Sequence, residues 1–256
     1  MSKYLRKLQT LATVDKRWLL RYLTKYGKQN LSFALAKLRG KSYWEIHERS
    51  LCIKLGFFTP YHQAIAQDIR HGNYERHVMD AWIQALPDKK IIYDIGGFNG
   101  LYGLLAAKNN PDAQVTIFEP DHTNAEHIRQ NIRLNELKNC IAVEAAVSDT
   151  SGTTTFSQGG TSGEHIGATG TEVRVIALKD MPKADLIKID VEGAELKVLM
   201  GMGYTTTALL EVHPLFVSRF SDTEEDIAAF LKQEEYTVKF LEERDKAKHY
   251  FLQPSS

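Results

Sequence analysis

The chain has 256 residues, enough to bury a full core, and its 43% hydrophobic and 25% charged side chains exclude a disordered or low-complexity polymer. Net charge is zero, which argues against wholesale nucleic-acid binding. The balance is uneven, however: residues 1–41 carry eleven basic side chains against one acidic, leaving −10 for residues 42–256.

Cys52 and Cys140 are isolated, without CxxC or metal-ligand spacing, and read as free thiols of an intracellular protein. No apolar run approaches the roughly 18 residues of a spanning helix. The expected location is cytoplasmic, with peripheral membrane contact through residues 1–41 as an alternative. In residues 15–28, Trp18, Leu19, Tyr22, Leu23 and Tyr26 recur at helical spacing, with the basic side chains largely off that stripe. Such a cationic helix either lies on an anionic membrane surface or packs on its own domain or a dimer mate, so a homo-oligomer stays open. Gly27 ends this pattern, and Asn30 caps a second expected helix through Leu38. Residues 74–86 form another amphipathic helix, stopped by Pro87. Residues 1–73 therefore read as a helical N-terminal extension to a domain spanning 74–256.

From Lys89 onward strands and helices alternate, which predicts an α/β fold: a Rossmann-like, doubly wound, mostly parallel sheet. Strands are expected at Ile91–Tyr93, Ala113–Phe118, Ile141–Val147, Asp185–Ile189 and Ala208–Val212, and helices at Gly100–Asn109, Ala125–Leu137 and Glu224–Leu231. Residues 150–170, rich in Gly, Thr and Ser, read as a hairpin or loop, with Val173–Leu178 extended. Tyr236–Leu241 and His249–Leu252 are separated by a connection too short for a parallel crossover. They must close the sheet as an antiparallel hairpin.

The first strand runs into Asp94-Ile-Gly96-Gly97-Phe-Asn-Gly100. Glycines there let backbone N–H groups approach a ligand at a helix N-terminus. Glu119, at the end of the next strand, is placed to accept hydrogen bonds from the ribose hydroxyls of an adenosine cofactor. These two features admit NAD as readily as S-adenosylmethionine.

Further segments are Phe118-Glu119-Pro120-Asp121, Asn131-Ile-Arg-Leu-Asn135, Ala146-Val-Ser-Asp149 and Ile187-Lys-Ile-Asp190-Val-Glu-Gly193-Ala-Glu195. Together with the glycine turn they closely resemble the FkbM-type methyltransferase family over about residues 90–213. One departure is Gly97-Phe98, where the family commonly has Ala-Asn. The resemblance implies methyl transfer from S-adenosylmethionine, most often to a hydroxyl of a sugar, glycolipid or polyketide-like acceptor, and lipid-linked glycans fall within that class. It makes Asp94, Gly96, Gly97, Gly100, Glu119, Ala146 and Asp149 the cofactor-binding candidates.

Methyl transfer to an alcohol needs an aligned acceptor and a base for its proton. Asp190 closes one strand, while Glu211 and His213, two apart, share a face near the end of the next. His213 or Asp190 is the expected base, with Glu211 orienting or polarising; structural pairing is the alternative for each. The same trio suits a divalent cation, ranked below a metal-free site for want of an aspartate cluster. Glu192 and Glu195 are expected on the following helix, and Lys188 is expected to pair with a carboxylate. The rivals are an RNA methyltransferase, which the −10 body disfavours, and a dinucleotide-dependent oxidoreductase or non-catalytic cofactor-binding module. The acceptor pocket is expected from the N-terminal helices and the 150–170 stretch.

Overall fold

The computed structural model describes residues 40–157, 165–166 and 170–255, with Phe33, Ala36 and Leu38 ahead of them. The expected cationic helix at 15–28 lies outside the described residues. Residues Tyr43–Glu48 (β1) and Leu51–Gly56 (β2) form an antiparallel hairpin where helices are expected. The alternation that drives it is plain in retrospect: Ile46, Ile53 and Leu55 are fully buried, while Glu45, His47, Cys52 and Lys54 are not. Arg49, at φ 52, makes the tight turn. Helices Pro60–Arg70 (α1) and Arg76–Ala85 (α2) follow. The Thr59 side chain caps α1 by accepting from the His62 N–H.

The alternating region then unfolds as expected in kind. Strand Ile91–Ile95 (β3), helix Leu101–Asn109 (α3), strand Gln114–Phe118 (β4), helix His122–Leu134 (α4) and strand Cys140–Val143 (β5) build one half of the sheet. The strand expected over Ile141–Val147 is broken in two. Its second part, Ala146–Val147 (β6), leaves the main sheet and joins Gly152–Ser157 (β7), His165–Ile166 (β8) and Thr171–Ile176 (β9) in a small four-stranded sheet, order β6-β9-β7-β8. Strand Leu186–Ile189 (β10), helix Glu195–Met202 (α5), strand Thr207–Val212 (β11), helix Glu224–Gln233 (α6) and strands Tyr236–Arg244 (β12) and Ala247–Pro254 (β13) complete the chain.

The main sheet has seven strands in the order β12-β13-β11-β10-β3-β4-β5. All pairs are parallel except β11–β13 and β12–β13, so the predicted terminal hairpin is present. Strands β3, β4 and β10 are buried almost throughout, as a parallel sheet covered on both faces requires. Period-two alternation divides the core into two layers. Ile92, Val115, Ile117, Leu186 and Leu209 pack with the hairpin and with α1 to α4, whereas Tyr93, Ile95, Ile187, Ile189 and Leu210 pack with α5, α6 and the small sheet. Strand order reverses between β3 and β10, and a ligand crevice is expected beyond the carboxyl ends of the strands at such a point.

Candidate functional site

A cavity of about 620 Å3 opens at that point, within the range usual for small-molecule sites. Its wall includes the strand-end residues Gly96, Glu119, Asp190, Glu211 and His213.

The glycine loop shapes one side. Gly96 has φ 77, and a Cβ there would lie only 1.6 Å from the Asp190 carbonyl oxygen, so only glycine lets the ends of β3 and β10 meet. Gly97 packs against Ile117 and Ile128, and Gly100 starts α3 at φ 83. Asp94 is buried; one carboxylate oxygen accepts from the Gly103 N–H at 2.8 Å, and burial pushes its pKa up although Lys188 opposes that. Of the cofactor-binding candidates, Gly96, Glu119 and Ala146 line the cavity, while Asp94, Gly97, Gly100 and Asp149 stand behind the wall. Gly97 and Gly100 belong to the glycine loop, Asp94 ties β3 to α3 through the Gly103 N–H, and Ser148, beside Asp149, packs its carbonyl on Gly201.

Glu119 accepts from the backbone N–H groups of Phe98 at 2.8 Å and Asp121 at 2.9 Å. A carboxylate at this strand end is the type of acceptor that vicinal ribose hydroxyls require. Beside it Ile95, Pro120, Ala145, Ala146 and Val147 make an apolar slot of the kind an adenine ring fills. The cavity also carries the carboxylates Asp190, Glu192 and Glu211, which suit a sulfonium and an ammonium. These residues fit S-adenosylmethionine: Glu119 would hold the ribose and the apolar slot the base.

The cavity's carboxylates are organised around His213. Its Nδ1 lies 2.8 Å from Glu195 Oε1, and its Nε2 lies 3.4 Å from Glu211, 3.7 Å from Glu192 and 3.8 Å from Asp190. Burial alone would lower its pKa, but the hydrogen bonds to Glu195 and Glu211 and the charge of Asp190 raise it to about 11. His213 is therefore an imidazolium donor at neutral pH. Lys188, inside β10, pairs with Asp190 Oδ2 at 2.7 Å as expected of it.

Of the two carboxylates expected on the following helix, only Glu195 lies on it. Glu195 is the first residue of α5, fully buried, and also accepts from the Gly193 N–H at 3.0 Å. Glu192 precedes the helix altogether, held at φ 54 and lining the cavity. Burial pushes its pKa up to about 7; the Asp190, Glu211 and Glu195 charges add to that and His213 opposes it. Its left-handed backbone is the kind of local strain that concentrates at working sites.

The sequence reading also missed the cavity's aromatic wall. Tyr61 and His62 of α1, Phe98 of the glycine loop and His127 of α4 all line it. His62 stacks on Phe98 with centroids 4.9 Å apart, and burial followed by the His127 charge lowers its pKa to about 4, so the ring is neutral. The N-terminal segment does supply cavity residues, through α1 and the stretch before α2, and Phe156 comes from β7.

Asn131 and Asn135 do other work. Asn131 is fully buried; its Oδ1 accepts from the Gly56 N–H at 2.8 Å and its Nδ2 donates to the Asn99 carbonyl at 2.9 Å. Asn135 accepts from the Lys54 N–H at 2.6 Å and donates to the Lys54 carbonyl at 2.7 Å. The pair ties β2 to α4 and to the glycine loop.

The sheet order with its antiparallel terminal hairpin, the glycine turn and the acidic strand end define a Rossmann-like domain built for an adenosine cofactor. The methyltransferase FkbM domain matches residues 94–238, more than half of the chain, and the protein belongs to that family. No curated protein matches the sequence. Solved structures similar to it include precorrin-6y C5,15-methyltransferase from Geobacter metallireducens GS-15, with 15% identity, a TM-score of 0.46 and coverage of 71% of this chain and 88% of that one. An O-methyltransferase family protein from Burkholderia thailandensis shows 13% identity, a TM-score of 0.45 and coverage of 77% and 61%. M. jannaschii TYW2, in complex with AdoMet, shows 12% identity, a TM-score of 0.44 and coverage of 82% and 84%.

Proposed function

We propose that the protein methylates a hydroxyl group of an uncharged acceptor, such as a sugar, a lipid-linked glycan or a polyketide-like alcohol. The observation that carries this reading is the cluster of Asp190, Glu192 and Glu211 about His213, in the cavity that also contains Gly96 and Glu119. Carboxylates at the reacting end serve an alcohol, which must lose a proton, and they repel a phosphate-rich chain. The neutral rings of His62 and Phe98 offer a flat face to an apolar or sugar-ring acceptor.

When bound, S-adenosylmethionine supplies an electrophilic methyl group and leaves as a neutral thioether. The protein's part is to align the acceptor oxygen and collect its proton. Asp190 and Glu192 face that oxygen. Asp190 is tied to Lys188, whereas Glu192 has its carboxylate 3.7 Å from His213 and is the freer group. Glu192 takes the hydroxyl proton as the new O–C bond forms. His213, with both nitrogens turned to carboxylates, positions them and keeps its own proton, and Glu211 holds the ring. His213 thus passes from candidate base to positioning residue, and Asp190 becomes an orienting partner.

Calorimetry with S-adenosylhomocysteine and with NAD tests the cofactor side. Micromolar binding of the first and none of the second is expected; NAD binding alone would sink the proposal. For the chemistry, Asp190→Asn is expected to retain S-adenosylhomocysteine affinity while lowering kcat by about 10²-fold. An unchanged kcat would remove Asp190 from the site.

A further inference from the structure

Glu211 holds the His213 ring through one carboxylate oxygen, Oε1, and turns the other, Oε2, to a second group of side chains beside the cavity. Glu211 on β11 and His249 on β13 are direct register partners across the antiparallel pair. Their side chains meet, with His249 Nε2 3.3 Å from Glu211 Oε2. Glu75, just before α2, comes in from the third side, its backbone held in the left-handed region at φ 41 and its Oε2 accepting from the Tyr102 hydroxyl at 2.5 Å. One ligand atom from each of Glu75, Glu211 and His249 lies within 4.8 Å of the others.

His249 supplies the decisive observation. It is 2% exposed, and beyond the 3.3 Å ion-pair approach of Nε2 to Glu211 neither ring nitrogen has a hydrogen-bond partner among the described residues. An orphaned imidazole nitrogen costs free energy when buried, and this one sits beside two carboxylate oxygens. We propose that Glu75, Glu211 and His249 bind a divalent metal ion on the cavity wall.

Two carboxylates neutralise the ion and the imidazole, which gives up its proton to ligate, adds a nitrogen, a set that suits manganese and its first-row neighbours. Tyr102 orients the Glu75 carboxylate from behind, as the outer partners of metal ligands do. Glu75 and Glu211 line the cavity, so the remaining coordination positions face it. An acceptor oxygen bound there would have its hydroxyl acidified, easing proton loss to Glu192. That role rests on the methyltransferase reading; the binding of the ion does not.

The neighbouring trio Asp190, Glu192 and His213 is equally compact. Its histidine is occupied, however, with Nδ1 bonded to Glu195, and Asp190 is held by Lys188. That ring already bridges Glu195 and the carboxylates of Asp190, Glu192 and Glu211.

The test is Mn2+ titrated into the full chain, with free ion followed by electron paramagnetic resonance and S-adenosylhomocysteine affinity measured on the same samples. One saturable site is expected. Glu75→Gln and His249→Gln should each weaken it at least about tenfold, and Glu192→Gln should leave it within about twofold. Wild type that binds S-adenosylhomocysteine but no Mn2+ overturns the site, as does a loss on Glu192→Gln that Glu75→Gln does not share. Mn2+ binding without S-adenosylhomocysteine binding would keep the site and remove the methyltransferase reading. Should the variants fail to fold, the anomalous signal of Mn2+ in wild-type crystals decides: density between Glu75, Glu211 and His249 supports the site, and density elsewhere or none overturns it.

Discussion

At the scale of single residues, the site works by setting unlike protonation states side by side. His213 is pinned as a cation by the carboxylates around it, while Glu192, buried beside Asp190, Glu195 and Glu211, is raised to about 7. A base needs its deprotonated form, so kcat/KM is expected to fall about tenfold per pH unit below about 7 and to level off above it. Glu192→Gln should abolish that limb and lower kcat by about 10²–10⁴-fold; a limb of the same midpoint in the variant would dismiss Glu192 as the base. The same shift has a sign for stability. The folded chain holds this proton more tightly than the unfolded one, so the group's contribution falls as pH rises from its ordinary 4.5 to about 7. Glu192 was not legible in the sequence. Asp-Val-Glu-Gly reads as strand end followed by helix, and only the left-handed turn at φ 54 brings the carboxylate into the cavity.

At the scale of elements, the FkbM-like Asn131-x-x-x-Asn135 pattern is a clamp. Spacing of four puts both amides on one face of α4, and β2 lies against that face. Asn131→Ala would strand the Gly56 N–H and the Asn99 carbonyl without partners, and a loss of about 2–4 kcal/mol follows. Urea unfolding measures the loss, and hydrogen exchange at the Gly56 amide should quicken first; a variant of wild-type stability would show that water replaces the amide. The β1–β2 hairpin itself had a readable signal in the alternation Ile46 to Glu48 and Ile53 to Leu55, partnered across a two-residue turn. Short alternating runs compete with helix readings when charged residues are interspersed, and the clamp that stabilises this one lies about 80 residues further on.

At the scale of the whole molecule, the cavity exists because strand ends from both halves of the sheet converge. The closest convergence is Gly96 against the Asp190 carbonyl, where a Cβ would intrude to 1.6 Å on backbone that has no freedom to retreat. Gly96→Ala is expected to force β3 and β10 apart and to weaken S-adenosylhomocysteine binding by more than about tenfold, since φ 77 is also unfavourable for alanine. Calorimetry checks it, and unchanged affinity would show that the loop relaxes without disturbing the site. The two-layer core keeps the strands fixed while α1, the glycine loop and β7 each contribute cavity residues. No helix among the described residues is long and apolar enough to cross a membrane.

The sequence by itself determined the alternation of strands and helices, the terminal antiparallel hairpin, the glycine turn and the family. These rest on local patterns: periodicity, short connections and residue types at fixed spacing. Tertiary structure alone decided which carboxylates meet His213, that Glu192 enters the cavity, and that His249 stands opposite Glu211 with Glu75 beside them. The physical reason is distance along the chain. Glu75, Glu211 and His249 come from three segments whose proximity depends on sheet order and register, and no local spacing encodes either.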